Sequence, residues 1–313
     1  MKFTENIIEV FFGIDINIHD PKEVLQQLQS CSIPELDEIG ASYEHVEVPM
    51  GAFYVALDKN YERIFALFTN PYGLIFGPEI GEHVLQTTTD NIHQYTLIQP
   101  PTLPKNKRHW DHKEWLSLRP KQDSFPDDLY GVYHWGVWME RGHNNRPPVL
   151  TADTNISDED SRPQLQALFQ SFGNITQVKS VLLNAIDPDQ HKLMLSTVGK
   201  LPERQTSLWA TAEKEPFALR ACLVNVFTRP HVDCSDVEWS MLAPLGKFSE
   251  GQFCIADLKR SFSYPAGSIG AIRGKYLVHF TRMWKGSRTC LVSTMHVSLA
   301  SWVLNNVKLG EKA

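Results

Sequence analysis

The pattern of apolar and polar positions changes character along the chain. Residues 5–12 and 21–30 read as short helices. Asp20-Pro21 supplies a cap and a first-turn proline ahead of Val24, Leu25 and Leu28 at helical spacing. From Ser42 to Phe68 the period shortens to that of strands, in SYEHVEV, AFYVAL and ERIFALF. Asp58-Lys59-Asn60 separates the last two and predicts a β-hairpin, because Asp and Asn side chains bond their own backbone in turns. Gly and Pro punctuate 70–81. Pro100, Pro101, Pro104, Pro120 and Pro126, set among many charges, predict a long surface connection over 99–126. A further strand is expected at 130–140.

A polar, proline-bearing stretch at 144–163 marks a boundary. Two helices are expected beyond it, at 162–172 and 176–186, with Leu165, Leu168, Phe169 and Phe172 forming an apolar stripe. Asp187-Pro188 ends the second and opens a third that runs through His191 to Val198. After Leu208 the pattern is β-rich to the end, with turn signals at Pro244, Gly246, Gly251, Pro265, Gly267, Gly270, Gly274 and Gly286. Strands at such regular spacing predict a sandwich or barrel. The chain therefore reads as α+β, mainly β, in two parts. Residues 1–150 form a β-containing extension or lid, and residues 151–313 a β-barrel domain braced by helices.

Composition narrows the class. The 313 residues are 42% hydrophobic and carry a net charge of −6, which excludes a disordered chain. The acidic balance argues against a general nucleic-acid coat. No run of 18 apolar residues predicts a membrane span, and Ile7 to Ile18, broken by Glu9 and Asp15, does not read as a signal peptide. Cys31, Cys222, Cys234, Cys254 and Cys290 are odd in number and widely spaced. They suit reduced thiols in a cytoplasmic protein, with Cys234 expected to be packed.

The candidate chemistry begins at His231-Val-Asp233. On a strand, residues i and i+2 share a face, so both could chelate one ion, with His279 brought alongside by the fold. Two imidazoles and one carboxylate on one face are the ligand set of non-haem Fe(II) oxygenases, and they leave positions open for O2 and a bidentate cosubstrate. Arg288 follows His279 across the Lys285-Gly286-Ser287 turn, and a hairpin there would set it on the strand next to His279. Its guanidinium suits a carboxylate. The H-x-[DE] spacing alone is weak, since about 1.4 matches are expected by chance from this composition. It also occurs at His45/Glu47, His109/Asp111 and His112/Glu114. Only His231 is followed by repeated strand–turn–strand patterns, a second His after an apolar run, and an Arg after a tight turn.

Residues 205–296 resemble the double-stranded β-helix (jelly-roll, cupin-like) core of the Fe(II)/2-oxoglutarate dioxygenases. They are most similar to fungal proteins grouped with the TET methylcytosine and base-J thymine oxygenases. The resemblance rests on His231-x-Asp233, on WSMLAPLG with FSEGQFCI, on Pro265-Ala-Gly-Ser-Ile-Gly, on Leu277-Val-His279 and on Gly286-Ser-Arg288. The helices at 162–200 resemble those that brace this barrel. Gly251-Gln252 stands where the family often has Gly-Gly, and Cys290 where an Arg-x-Ser pair is common. The resemblance implies an oxidoreductase that uses Fe(II), 2-oxoglutarate and O2. His231, Asp233 and His279 would bind metal, and Arg288 the far carboxylate of the cosubstrate. Asn225 matches a polar position that contacts the cosubstrate in some relatives.

Three functions stay open. The first is hydroxylation of a C–H bond in a small organic molecule, such as a fungal metabolite, which the acidic charge favours. The second is oxidation of a pyrimidine base in nucleic acid, with a nuclear location if that is DNA. The third is a non-catalytic barrel that binds a ligand. His296 is expected to pack in the barrel. Trp209, Trp239 and Trp284 are candidates for stacking on a substrate against the commoner core role. Lys105-Asn106-Lys107-Arg108 is a candidate phosphate contact against a solvated loop.

Overall fold

The computed structural model describes residues 7–104, 109–118, 129–140, 142–143, 146–156, 161–206 and 215–310. The basic cluster at 105–108 and Trp209 lie outside them. In chain order, β1 (Ile7–Phe11) precedes α1 (Lys22–Gln29) and α2 (Ile33–Ser42), followed by β2 (Glu44–Val46), β3 (Phe53–Leu57) and β4 (Arg63–Phe68). Next come α3 (Pro71–Phe76), α4 (Pro78–Ile98), α5 (His112–Leu118), β5 (Gly131–Trp138) and β6 (Val149–Leu150). Then α6 (Ser161–Ile186), α7 (Pro188–Val198) and α8 (Glu203–Thr206) lead into β7 (Leu219–Val224), β8 (Ser240–Leu245), β9 (Phe248–Glu250), β10 (Phe253–Ile255) and β11 (Arg260–Phe262). The chain closes with β12 (Ile269–Ile272), β13 (His279–Thr281), β14 (Trp284–Gly286), β15 (Thr289–Thr294) and α9 (Val297–Gly310).

The fold is α+β. A nine-stranded sheet has the order β1-β3-β4-β12-β8-β15-β7-β5-β6, and a four-stranded sheet the order β13-β10-β11-β2. Strands from the first 150 residues are hydrogen-bonded into both, through β4 against β12, β5 against β7, and β2 against β11. One core lies between the two sheets: Tyr54, Phe65, Leu242 and Ile272 meet Phe253, Ile255 and Phe262. A second lies under the helices, where Leu165, Leu168, Phe169, Phe172, Val178 and Leu182 of α6 pack on Trp135, Met241, Ala243 and Leu291. Each such Leu or Phe contributes about 1.5–3 kcal/mol by leaving water. That explains why the α6 stripe faces the sheet.

Several local expectations are met. Asp187 caps α7, accepting from the Gln190 N–H at 2.9 Å. The hairpin at 58–60 joins β3 to β4, with Asp58 accepting from the Asn60 and Glu62 amides. Others are corrected. Ile7–Phe11 is a strand, because it pairs in parallel with β3, and sheet pairing overrides a weak helical period. The two helices at 162–186 are one, whose middle is held by burial on the sheet. The punctuation at 70–81 caps helices: Pro71 and Pro78 sit in the first turns of α3 and α4. The connection over 99–126 carries α5 and buries Trp110 and Trp115. The β-rich C-terminal part ends in a helix, α9. Among the described residues no helix is long and apolar enough to cross a membrane.

Candidate metal centre

His231, Asp233 and His279 are brought together, each offering a ligand atom within 4.8 Å of the others. They form the one such group among the described residues. His231 lies in the loop after β7, and its backbone exchanges hydrogen bonds with His279 at the start of β13: N–H to O at 3.2 Å one way and 3.1 Å the other. Asp233 opens the next turn, and its N–H donates to the Gly274 carbonyl at 2.8 Å. The chelating pair thus sits on a bridge and a turn rather than on one continuous strand.

The imidazoles are oriented alike. His231 Nδ1 lies 2.8 Å from the Arg229 carbonyl oxygen, and His279 Nδ1 2.9 Å from that of Leu277. A carbonyl only accepts, so each Nδ1 carries the proton and each Nε2 presents a lone pair. Those Nε2 atoms face the carboxylate, at 3.8 Å from Asp233 Oδ1 and 3.5 Å from Asp233 Oδ2. Three electron-pair donors therefore converge, with ring tautomers fixed by main-chain carbonyls as metal-binding histidines require. The donor set fits a first-row divalent ion with open positions.

Gly274 backs this cluster. A Cβ built there would lie 3.2 Å from Asp233 Oδ2 and 3.3 Å from His279 Cε1. The sequence shows Gly274 only as a turn signal, and its contact with the site arises from the fold. Asp257, whose side chain is enclosed, is a second such residue. It accepts from the Val278 N–H at 2.6 Å, directly before His279, and pairs with His19 at 2.7 Å.

Arg288 does not share a sheet with His279. It immediately precedes β15 of the nine-stranded sheet, while β13 belongs to the four-stranded sheet. The expected hairpin is absent because β14 pairs with β9 instead. A chain of rings links Arg288 to the cluster. The Phe253 ring is 5.7 Å from the His279 ring and 5.4 Å from that of Tyr264, which lies 5.9 Å from the Arg288 guanidinium. Phe248 at 5.5 Å and Trp284 at 5.3 Å complete an aromatic surround. Arg288 is buried, its Nε has no hydrogen-bond partner, and no carboxylate pairs with it among the described residues. A buried cation without a carboxylate partner is costly to the fold. The Tyr264 hydroxyl donates to the Leu242 carbonyl and accepts from the Gly270 N–H, so this residue offers only its ring.

The remaining candidates fall elsewhere. His45 and Glu47 are exposed on and beside β2. His109 Nδ1 contacts Thr228, and Asp111 accepts from the first amides of α5. His296 pairs with Asp236 at 3.7 Å, partly exposed rather than packed in the barrel. Trp239 and Trp284 are fully buried core residues, so neither can stack on a substrate. Cys234 is exposed rather than packed, since it lies in the turn after Asp233. Asn225 is buried, with its carboxamide bonded to Leu129 and to the Arg288 backbone.

Two facing sheets carry a two-histidine, one-carboxylate cluster of a kind that could hold a metal ion. The structure of NgTET1 in complex with 5mC DNA has this fold: TM-score 0.54 at 13% identity, over 93% of this chain and 99% of that one. The resemblance to the TET-type oxygenases read from sequence is thus matched in the fold. A 2OG-Fe(II) oxygenase-family oxidoreductase from Burkholderia pseudomallei (TM-score 0.27, 15% identity, 66% of this chain and 88% of that one) and a C-terminally truncated Neurospora crassa protein in apo form (0.31, 12%, 94% and 96%) are more distant. No protein-family model and no curated protein sequence matches the chain.

Proposed function

We propose that the protein is an Fe(II)- and 2-oxoglutarate-dependent dioxygenase whose two facing sheets form a double-stranded β-helix. The observation that carries this reading is the convergence of His231 Nε2, His279 Nε2 and the Asp233 carboxylate, with both Nδ1 protons held by main-chain carbonyls. In this reading His231, Asp233 and His279 hold the metal, and Arg288 receives the far carboxylate of 2-oxoglutarate. The rings of Tyr264 and Trp284 beside Arg288, with Phe253 behind Tyr264, keep water from the guanidinium. The chemistry supplied by the loaded site is oxidative: O2 and 2-oxoglutarate become succinate and CO2 as a substrate C–H bond is hydroxylated. Residues 151–313 are the oxygenase domain. Residues 1–150 are an extension that adds strands to it.

The substrate reading we favour is a pyrimidine base in nucleic acid. What supports it is that the likeness to a TET protein bound to 5mC DNA runs through the first 150 residues as well as the β-core, covering 93% of the chain. The second reading is a small organic molecule, supported by the net charge of −6. The test is succinate release from the Fe(II)-loaded protein, offered methylated oligonucleotides or a panel of small metabolites. Release driven by the oligonucleotide supports the first reading; release driven only by metabolites replaces it with the second. Anaerobic Fe(II) with 2-oxoglutarate should give a weak visible charge-transfer band. No band and no succinate would leave a ligand-binding barrel without turnover.

A further inference from the structure

We infer that Asn225 is a positioning residue that sets Arg288 and does not itself bind the cosubstrate. This rests on the reading of Arg288 as the 2-oxoglutarate anchor.

The argument starts at the end of a ladder. Strands β7 and β15 pair antiparallel up to Val224 and Thr289, so Asn225 and Arg288 are the next facing residues. Asn225 leaves the strand conformation there, with φ +53°, in the left-handed region that Asn enters more readily than most residues. Its N–H still donates to the Arg288 carbonyl at 2.9 Å. In the other direction the Arg288 N–H donates to the side-chain Oδ1 of Asn225 at 3.0 Å. The side chain thus stands where a main-chain acceptor would continue the ladder. Both backbone polar groups of Arg288 are held by this single residue.

Asn225 is held in turn. Its Nδ2 donates to the Leu129 carbonyl at 2.9 Å, in the segment leading into β5, and the residue is 2% exposed. Both heavy atoms of the carboxamide are therefore engaged inside the protein. The chain of contact runs from Leu129, in the first half of the sequence, through Asn225 to Arg288. At the far end the guanidinium is buried among Phe248, Tyr264 and Trp284, where a small backbone shift would move it off a bound carboxylate. Asn225→Gly keeps access to the left-handed conformation and removes only these side-chain bonds.

The test is binding rather than turnover. Calorimetry on the Mn(II)-loaded full chain compares 2-oxoglutarate with 2-oxovalerate, a 2-oxo acid of the same length without the distal carboxylate. Asn225→Gly should weaken 2-oxoglutarate about tenfold, the usual scale of a lost hydrogen bond to a buried group. It should leave Mn(II) and 2-oxovalerate binding within twofold of wild type. Asn225→Asp, which keeps an acceptor for the Arg288 N–H and loses the donor to Leu129, should fall between, and serves if the glycine variant does not fold. Equal weakening of both acids, or 2-oxoglutarate binding unchanged in the folded variants, overturns the inference. Wild type that does not prefer 2-oxoglutarate over 2-oxovalerate removes Arg288 as the anchor and the inference with it.

Discussion

Two buried arginines flank the nine-stranded sheet and teach opposite lessons. On the helix-covered side Arg220 is paired with Glu215 and donates to Thr176 Oγ1 at 3.1 Å. Nearby, Lys179 of α6 donates to the Met241 and Leu291 carbonyls and to Ser293 Oγ. On the opposite side Arg288 lies among aromatic rings with no carboxylate partner among the described residues. Burial is nearly equal, 2% exposure against 6%. What differs is the partner: Arg220 meets a carboxylate, whereas Arg288 meets aromatic rings and no carboxylate among the described residues. Removing Arg220 strands a buried anion, and removing Arg288 strands none.

The comparison can be broken or sharpened by substitution, beginning at the metal cluster. His231→Ala should weaken Mn(II) binding more than about 100-fold, since loss of a ligand exceeds the effect of losing a supporting contact. Equilibrium dialysis that finds the metal retained would mean that this cluster is not the metal site. On the structural side, Arg220→Met leaves Glu215 buried alone. Burial already pushes that carboxyl up, and the Arg220 guanidinium is the main influence holding it down. The variant should lose about 3–5 kcal/mol in denaturant unfolding, as broken buried pairs do.

Arg288→Met should behave oppositely. Stability should stay within about 1 kcal/mol, because no carboxylate loses its partner, while 2-oxoglutarate affinity falls about tenfold or more. A large stability loss in this variant would collapse the contrast with Arg220. Gly274→Ala presses a methyl group against Asp233 and His279 and should weaken metal binding about tenfold, the scale of supporting-contact losses. A further effect concerns pH. Burial pulls the Lys179 ammonium down to about 7 from its ordinary 10.5, with Arg220 pushing the same way and Cys290, Glu215 and Cys222 opposing. Between those values the unfolded chain binds the extra proton, so stability contributed by this group rises with pH. Wild type should therefore gain on Lys179→Met between pH 7 and pH 9. Parallel unfolding profiles would show that Lys179 stays charged in the fold.

The candidate metal cluster was legible in part because two of its residues are close in sequence. His231 and Asp233 are two residues apart, and the run KYLVH ahead of the Gly286 turn isolates His279. The decoys fell away only in the fold, where His45 is exposed and Asp111 caps a helix. The place of Arg288 was misread because strand pairing is not written in the spacing of turns: β14 turns to β9, and the chain then crosses to the other sheet. The long helix α4 hid behind prolines that read as loop signals but sit in first helical turns.

By itself the sequence determined the α+β mixture, the β-rich C-terminal half, the stripe of α6 and the candidacy of His231 and Asp233. Each is a local pattern of period or spacing within a few residues; the convergence of His279 on that pair belongs to the fold. Only the tertiary structure decided that the first 150 residues supply strands to both sheets, that Gly274 and Asp257 support the ligands, and that Asn225 is bonded inward to Arg288. Those contacts join residues far apart in the chain. Whether a side chain is spent within the fold or left for a ligand is settled by which distant groups surround it.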